Sequence, residues 1–366
     1  MLSGRRVATV LLAALTVYCI TYVPYPYRTG GFKSPTNANG SLSSGSPWLS
    51  SPTSPSPSDK GDHVEPVDFT HRQSWRFDVD PFKKFNPKGP KPENIIILTA
   101  TDGNGNNAEI PDLLENVGHN RQEYCDYHGY ICVFTNITKY DLEDKHPVWA
   151  KIPGIAQAFH EHPDSEWLWW LDMDAIIMTP SIDLSSHILS HTAIASSIKK
   201  NEPIKLGSEK AVSNVTTAAN PLPADIDILV AQDQNGINAG SFMIRRSLFS
   251  RFLLDMWTEP LFMSLDAPGR EQDALMNFFL EHPIVREHTG LVEMRMFNAY
   301  SVGPPGYGWR DGDLAVHFAG CWVDHHCMEA FQEHWKKRGE VRNLPHGEEK
   351  LRKANQYRGW SLPTYS

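Results

Sequence analysis

The stretch EWLWWLDMDAIIMTP, Glu166 to Pro180, carries two aspartates, Asp172 and Asp174, one residue apart inside an otherwise apolar run. Taking a carboxylate out of water costs several kcal/mol per ion unless a partner neutralises it. In an extended backbone residues i and i+2 point to one side. The run therefore predicts a buried strand that delivers two convergent carboxylates at its end, a hard oxygen site suited to Mg²⁺ or Mn²⁺. Such a metal also binds a diphosphate and neutralises a leaving nucleotide. The plain structural alternative is an aspartate pair capping local backbone N–H groups. Phosphatases with an aspartyl nucleophile also place D-x-D after an apolar strand, but their motif continues with Gly-Thr near the start of a domain. Here Ala175-Ile176 follow, in mid-chain.

Working outward, NIIILTATDG (Asn94 to Gly103) reads as a buried strand bounded by Pro and Gly, with the loop Asp102-Gly103-Asn104-Gly105 at its C-terminal end. Open α/β sheets bind ligands at such strand ends. A helix is expected from about Ile110 to His128, a strand over Gly129 to Asn136, and a helix through PVWAKIPGIAQAFHEH, where Val148, Ile152, Ile155 and Phe159 share one face and Pro153 falls in a first turn. Strands alternating with helices predict an α/β fold with a mainly parallel sheet. Further on, Asp227 to Ser247 reads as two strands around a Gly-rich turn, Arg270 to His282 as a helix with an acidic start, and Gly312 to Trp322 as a late strand and loop; from about Glu329 the chain reads as helical.

The 366 residues carry a formal net charge of -9, which argues against a nucleic-acid partner. Arg5 and Arg6 precede an uncharged run, Val7 to Val23, of 17 residues. That is the short end of a membrane span, and the aromatic, proline-rich Tyr22 to Tyr27 suits a bilayer interface better than a signal-peptide cleavage site. The reading is a cytosolic tail (1–6), a signal anchor (7–23), a Ser/Pro-rich lumenal stem (24–92), a catalytic domain (93–335) and a C-terminal extension (336–366). Asn39, Asn136 and Asn214 begin glycosylation sequons, and Cys125, Cys132, Cys321 and Cys327 suffice for two disulfides in an oxidising lumen, their pairing open.

The blocks WAKIPGIAQAFHEHPDSEWLWWLDMDAIIM, NGINAGSFMIRRS, EQDAL and HFAGCW, in that order over about Ile95 to Trp322, resemble glycosyltransferase family 34. That family includes fungal Golgi α-1,6-mannosyltransferases, α-1,2-galactosyltransferases and plant xyloglucan xylosyltransferases. The resemblance implies a GT-A fold with one Rossmann-like nucleotide-sugar domain, a Mn²⁺ cofactor and retention of anomeric configuration. It implies that Asp172, Asp174 and His317 bind the metal. It also implies that Lys151, Asp172 and a turn carrying Asn238, Gly240 and Ser241 face the donor, and that Glu271, Gln272 or Asp273 lies near the reacting sugar. Plant members carry Lys where this chain has Trp322, so a positive charge near the leaving phosphate must come from elsewhere; Arg310 is a candidate. The expectation is a mannosyltransferase moving mannose from GDP-mannose to an N-glycan or mannan acceptor in the Golgi membrane, with other mannosyltransferase subunits as partners. The alternatives are a galactosyltransferase using UDP-galactose and a non-catalytic subunit on the same fold.

Overall fold

The computed structural model describes residues 67–72, 75–105, 107–206, 211–264, 268–323 and 325–356. The expected anchor, Val7 to Val23, and most of the stem lie outside these residues. Among the described residues no helix is long and apolar enough to cross a membrane.

Strand β1 (Ile95–Thr101) leads through a loop to α1 (Leu113–His128), which Gly129 ends in a left-handed conformation, its N–H returning to the Cys125 carbonyl. Then come β2 (Ile131–Asn136), α2 (Lys151–Glu161), β3 (Trp167–Leu171) and β4 (Ala175–Ile177). After the hairpin β5 (Pro203–Lys205) and β6 (Val212–Thr216), the chain forms β7 (Ile228–Asp233), β8 (Gly236–Arg245), α3 (Leu248–Trp257), α4 (Glu271–Glu281) and β9 (Thr289–Val292). Strands β10 (Ala299–Tyr300) and β11 (Ala315–His317) and the helices α5 (Cys327–Lys337) and α6 (Gly347–Gln356) complete it.

The result is a mixed α/β fold on a six-stranded central sheet, ordered β2-β1-β3-β8-β7-β9. It is less parallel than expected. β8 runs antiparallel to both β3 and β7, while the pairs β1–β2, β1–β3 and β7–β9 are parallel. A tight turn joins β7 directly to β8, and a connection that short can only reverse the chain.

The tryptophan strand obeys period two. Trp167, Trp169 and Leu171 share one core with Ile95 and Ile97; Leu168 and Trp170 share the other with Ile96 and Leu98. The run from Glu166 to Met178, which reads in the sequence as one strand, is broken, however. β3 ends at Leu171, residues 172–174 turn, and β4 joins a separate three-stranded sheet, β10-β11-β4. Asp172 and Asp174 thus converge through a turn between two sheets and not through the pleat of one strand.

Two boundaries shift. Phe69, Trp75 and Phe77, assigned to the stem, are buried in the same core as Phe159 and Phe249. The C-terminal extension also packs: Val341 is buried, and Lys350 on α6 donates to the Tyr127 carbonyl of α1. The cysteines pair Cys125–Cys132 and Cys321–Cys327.

Candidate functional site

The turn after β3 is held from below. Arg121 of α1 is fully buried, and its guanidinium donates to the carbonyls of Leu171 and Ala175 (both 3.0 Å), to the Asp172 carbonyl and to Thr99 Oγ1. Three main-chain oxygens around the turn thus accept from one rigid fork. The side chains are fixed separately. Trp170 Nε1 donates to Asp172 Oδ1 at 2.6 Å, so this tryptophan orients a carboxylate as well as filling the core. Asp174 is 9% exposed; its Oδ2 accepts from Asn107 Nδ2, and its Oδ1 lies 3.3 Å from His317 Nε2.

Asp172, Asp174 and His317 each offer a ligand atom within 4.8 Å of the others. The chemistry fits a divalent cation: two carboxylate oxygens and an imidazole. Burial alone would raise Asp174 and lower His317, but each holds the other charged, so the carboxyl lies below its ordinary value and the imidazole above. A metal ion would take over the role that the imidazolium plays here, and would require the neutral ring.

The ring is set up for that. The Gly240 N–H, a donor of fixed identity, bonds Asn238 Oδ1 at 3.0 Å. Asn298 must then present Nδ2 to the same oxygen (2.8 Å), which leaves its Oδ1 facing His317 Nδ1 at 2.9 Å. Nδ1 carries a proton, and on loss of the other proton Nε2, on the Asp174 side, would offer its lone pair to a metal ion. Second partners of this kind fix the tautomer of metal-binding histidines. Asn238 is anchored in turn by Tyr300 and Asp233. Burial and the nearby Asp233 push the Tyr300 phenol far above its ordinary value, so it stays a neutral donor.

Asn238, Gly240 and Ser241 lie inside β8, and none of them lines the cleft described below. The sequence feature read as a turn is a bulge. Pairing jumps from Val230–Phe242 to Ala231–Asn238, leaving Ala239, Gly240 and Ser241 without partners on β7. Bulges of this kind re-aim side chains beside active sites. Here they free main-chain groups: the Ala239 carbonyl accepts from Lys151 Nζ (2.7 Å), its N–H donates to Gln272 Oε1 (2.9 Å), and the Gly240 carbonyl accepts from the Asp172 N–H (2.9 Å). Gly240 makes room for protein rather than ligand, since a Cβ there would sit 2.2 Å from His317 Cε1. Ser241 faces away, taking the Trp169 indole N–H and donating to the Phe297 carbonyl.

Lys151, 4% exposed, bridges Glu271 Oε1 (3.0 Å) and Asp172 Oδ1 (3.7 Å) over the Trp170 ring. Burial pulls the lysine down, but Asp172 and Glu271 outweigh it and hold the ammonium above its ordinary value. Glu271 also lies above its ordinary value. Lys151 alone would lower it, but burial and the neighbouring Asp172 charge prevail. Burial is the larger cause at Glu271, whereas at Lys151 the two carboxylates around one ammonium account for the rise. Asp273 holds its own loop, accepting the Gly269 N–H at 2.8 Å.

These groups converge on a cleft of about 610 Å³, lined by Lys151, Asp172, Asp174, Glu271 and Gln272 together with the loop after β1, Arg270 and Trp322. That volume suits a small organic ligand. Arg310 does not line it; its N–H caps Asp313. Sequence reading missed Asn107, Arg121, Asn298 and Tyr300. Asn107, 3% exposed, also places Oδ1 2.9 and 3.0 Å from the sulfurs of the Cys321–Cys327 disulfide, joining the loop after β1 to the loop after β11.

Residues 91–328 match the galactosyl transferase GMA12/MNN10 family. A Schizosaccharomyces pombe protein named as an uncharacterised α-1,2-galactosyltransferase is 39% identical over 68% of this chain and 67% of its own length. A Saccharomyces cerevisiae protein named as a probable α-1,6-mannosyltransferase, MNN10, is 31% identical over 66% of this chain and 65% of its own. A solved glycosyltransferase involved in glycosylation of the major capsid of PBCV-1 superposes with a TM-score of 0.42 at 15% identity, covering 63% of this chain and 96% of that one, too loosely to carry an argument.

Proposed function

The chain belongs to the GMA12/MNN10 family of glycosyltransferases, and from that membership we propose that its cleft transfers a hexose, with retention of anomeric configuration, from a nucleotide-sugar to a glycan acceptor. The observation that carries this reading is the buried Asp172–Asp174–His317 cluster opening on a cleft of ligand size. Asp172, Asp174 and His317 would hold the metal, with Mn²⁺ the proposed ion, and when bound it supplies positive charge to the departing diphosphate. Lys151 keeps Glu271 and Asp172 in place, and Gln272 fixes the bulged strand opposite them. Glu271, buried beside Lys151, presents negative charge where a cationic sugar would develop. The acceptor hydroxyl attacks from the face the leaving group departs, with a donor phosphate oxygen as base.

The relative of higher identity of the two above bears the galactosyl name, which favours UDP-galactose over the GDP-mannose expected from sequence; the mannosyl reading is kept because the second relative bears that name. The GT-A assignment and a single-pass Golgi setting, with residues 7–23 as anchor and the catalytic part lumenal, belong to the same proposal. The two disulfides support an oxidising compartment. Calorimetry and transfer assays with UDP-galactose and GDP-mannose, each with Mn²⁺, test it. Binding and turnover of one donor is expected, whereas binding of neither would favour a non-catalytic subunit and overturn the reading.

A further inference from the structure

The cleft presents a charge problem that the residues named so far do not solve. Asp102, Asp172, Asp174 and Glu271 all line it, and Lys151 is already engaged by two of these carboxylates. A diphosphate entering such a site needs positive charge beyond the metal. Trp322, on the disulfide-closed loop at the rim, offers none, and Arg310 does not line the cleft.

We infer that Arg270 supplies it, and that this guanidinium grips the diphosphate of the nucleotide-sugar at the mouth of the cleft. Arg270 is exposed and lines the cleft; among the described residues its head group makes no hydrogen bond or ion pair. Its backbone is held with φ 48° and ψ −115°, a conformation that non-glycine residues rarely adopt. The chain on each side is clamped: Gly269 by the Asp273 carboxylate, and Glu271 by Lys151 and by the Trp257 indole, which donates to its carbonyl at 2.7 Å. Backbone strain retained at the edge of a cleft, with a planar cation that is unpaired among the described residues, is the arrangement expected of a ligand clamp. His146 lines the same cleft, and burial, with the Arg270 charge second, holds its imidazole below its ordinary value. A guanidinium suits the task because its fork bonds two phosphate oxygens at once.

This inference rests on the proposed function, and the test separates the two. Nucleoside diphosphates (UDP and GDP) and the matching monophosphates are titrated, with Mn²⁺, into the full chain and into Arg270→Gly and Arg270→Lys. Glycine accepts the positive φ without strain, so it removes the guanidinium and leaves the backbone at ease. The glycine variant is expected to lose about ten- to a hundredfold in diphosphate affinity, the scale of charge-assisted hydrogen bonds. The monophosphate should change by less than about threefold, and lysine, as a point charge, should recover part of the loss. Unchanged diphosphate affinity in Arg270→Gly, or an equal loss for both nucleotides, would overturn the inference while the proposed function stands. Failure of the unmodified chain to bind either diphosphate would sink both.

Discussion

The two ends of β8 each carry a buried ionic network, and they differ in kind. At Arg245 the network is closed. Asp227, 2% exposed, accepts from Arg245 Nε at 2.7 Å and contacts His288 Nδ1 at 2.6 Å, and Arg245 also reaches the Ala224 carbonyl and stacks over Phe85. One carboxylate meets one permanent cation. At the bulge, three carboxylates (Asp172, Asp174, Glu271) outnumber the two permanent cations, Lys151 and Arg121, and Arg121 gives its hydrogen bonds to a hydroxyl and to main-chain carbonyls. The first network is balanced and sealed, so it is a structural tie. The second is balanced only while His317 carries a proton, and it opens on a cleft, so a bound cation can take that proton's place.

That contrast can be broken from the Arg245 end. Arg245→Met leaves Asp227 buried with only His288 and should destabilise the fold by about 3–5 kcal/mol in denaturant unfolding, the cost of an orphaned buried charge, with nucleotide binding per folded molecule unchanged. Adding Mn²⁺ at about a hundred times its dissociation constant should stabilise the native state by about 2.7 kcal/mol. A chelator should reverse that shift, and Arg245→Met should show the same increment because its metal site is intact; thermal melts with and without metal measure both. Gly240→Ala drives a Cβ into the His317 ring. It should lower metal affinity about ten- to a hundredfold, the range for disturbed outer partners of metal ligands, and a metal titration followed by fluorescence would read it. The smallest effect concerns His288. Asp227 raises this imidazole, against burial, so its contribution to stability is full below the unfolded value of about 6.5 and is lost as pH rises through the higher folded value. His288→Gln should flatten that part of the stability–pH curve and leave metal binding untouched.

Much of this was legible in the sequence, for reasons the particular elements make clear. Period-two alternation places Trp167 and Trp169 on one face and Trp170 on the other, and helical spacing from Ile152 to Phe159 marks α2. The D-x-D pair and His317 do come together. The break between β3 and β4 was not legible, because Leu171 to Met178 is apolar enough to read as one strand. Nor was the bulge, since Asn-Ala-Gly-Ser carries turn-forming residues whose role here depends on Lys151, Gln272 and His317 arriving from elsewhere in the chain. Phe69, Trp75 and Phe77 were hidden among polar residues that read as stem. Arg121, Asn107 and Asn298 have no local signature at all. Their partners lie 50, 67 and 19 residues away, and only the fold brings them together.

The central claim is that the turn between β3 and β4 holds a divalent cation. Titrating Mn²⁺ into the full chain and into Asp174→Ala, in the presence of a nucleoside diphosphate, tests it most directly. A single saturable site in the full chain, lost in Asp174→Ala while that variant keeps the parent's circular-dichroism spectrum at the assay temperature, is the predicted result. Equal Mn²⁺ binding by both proteins would contradict it.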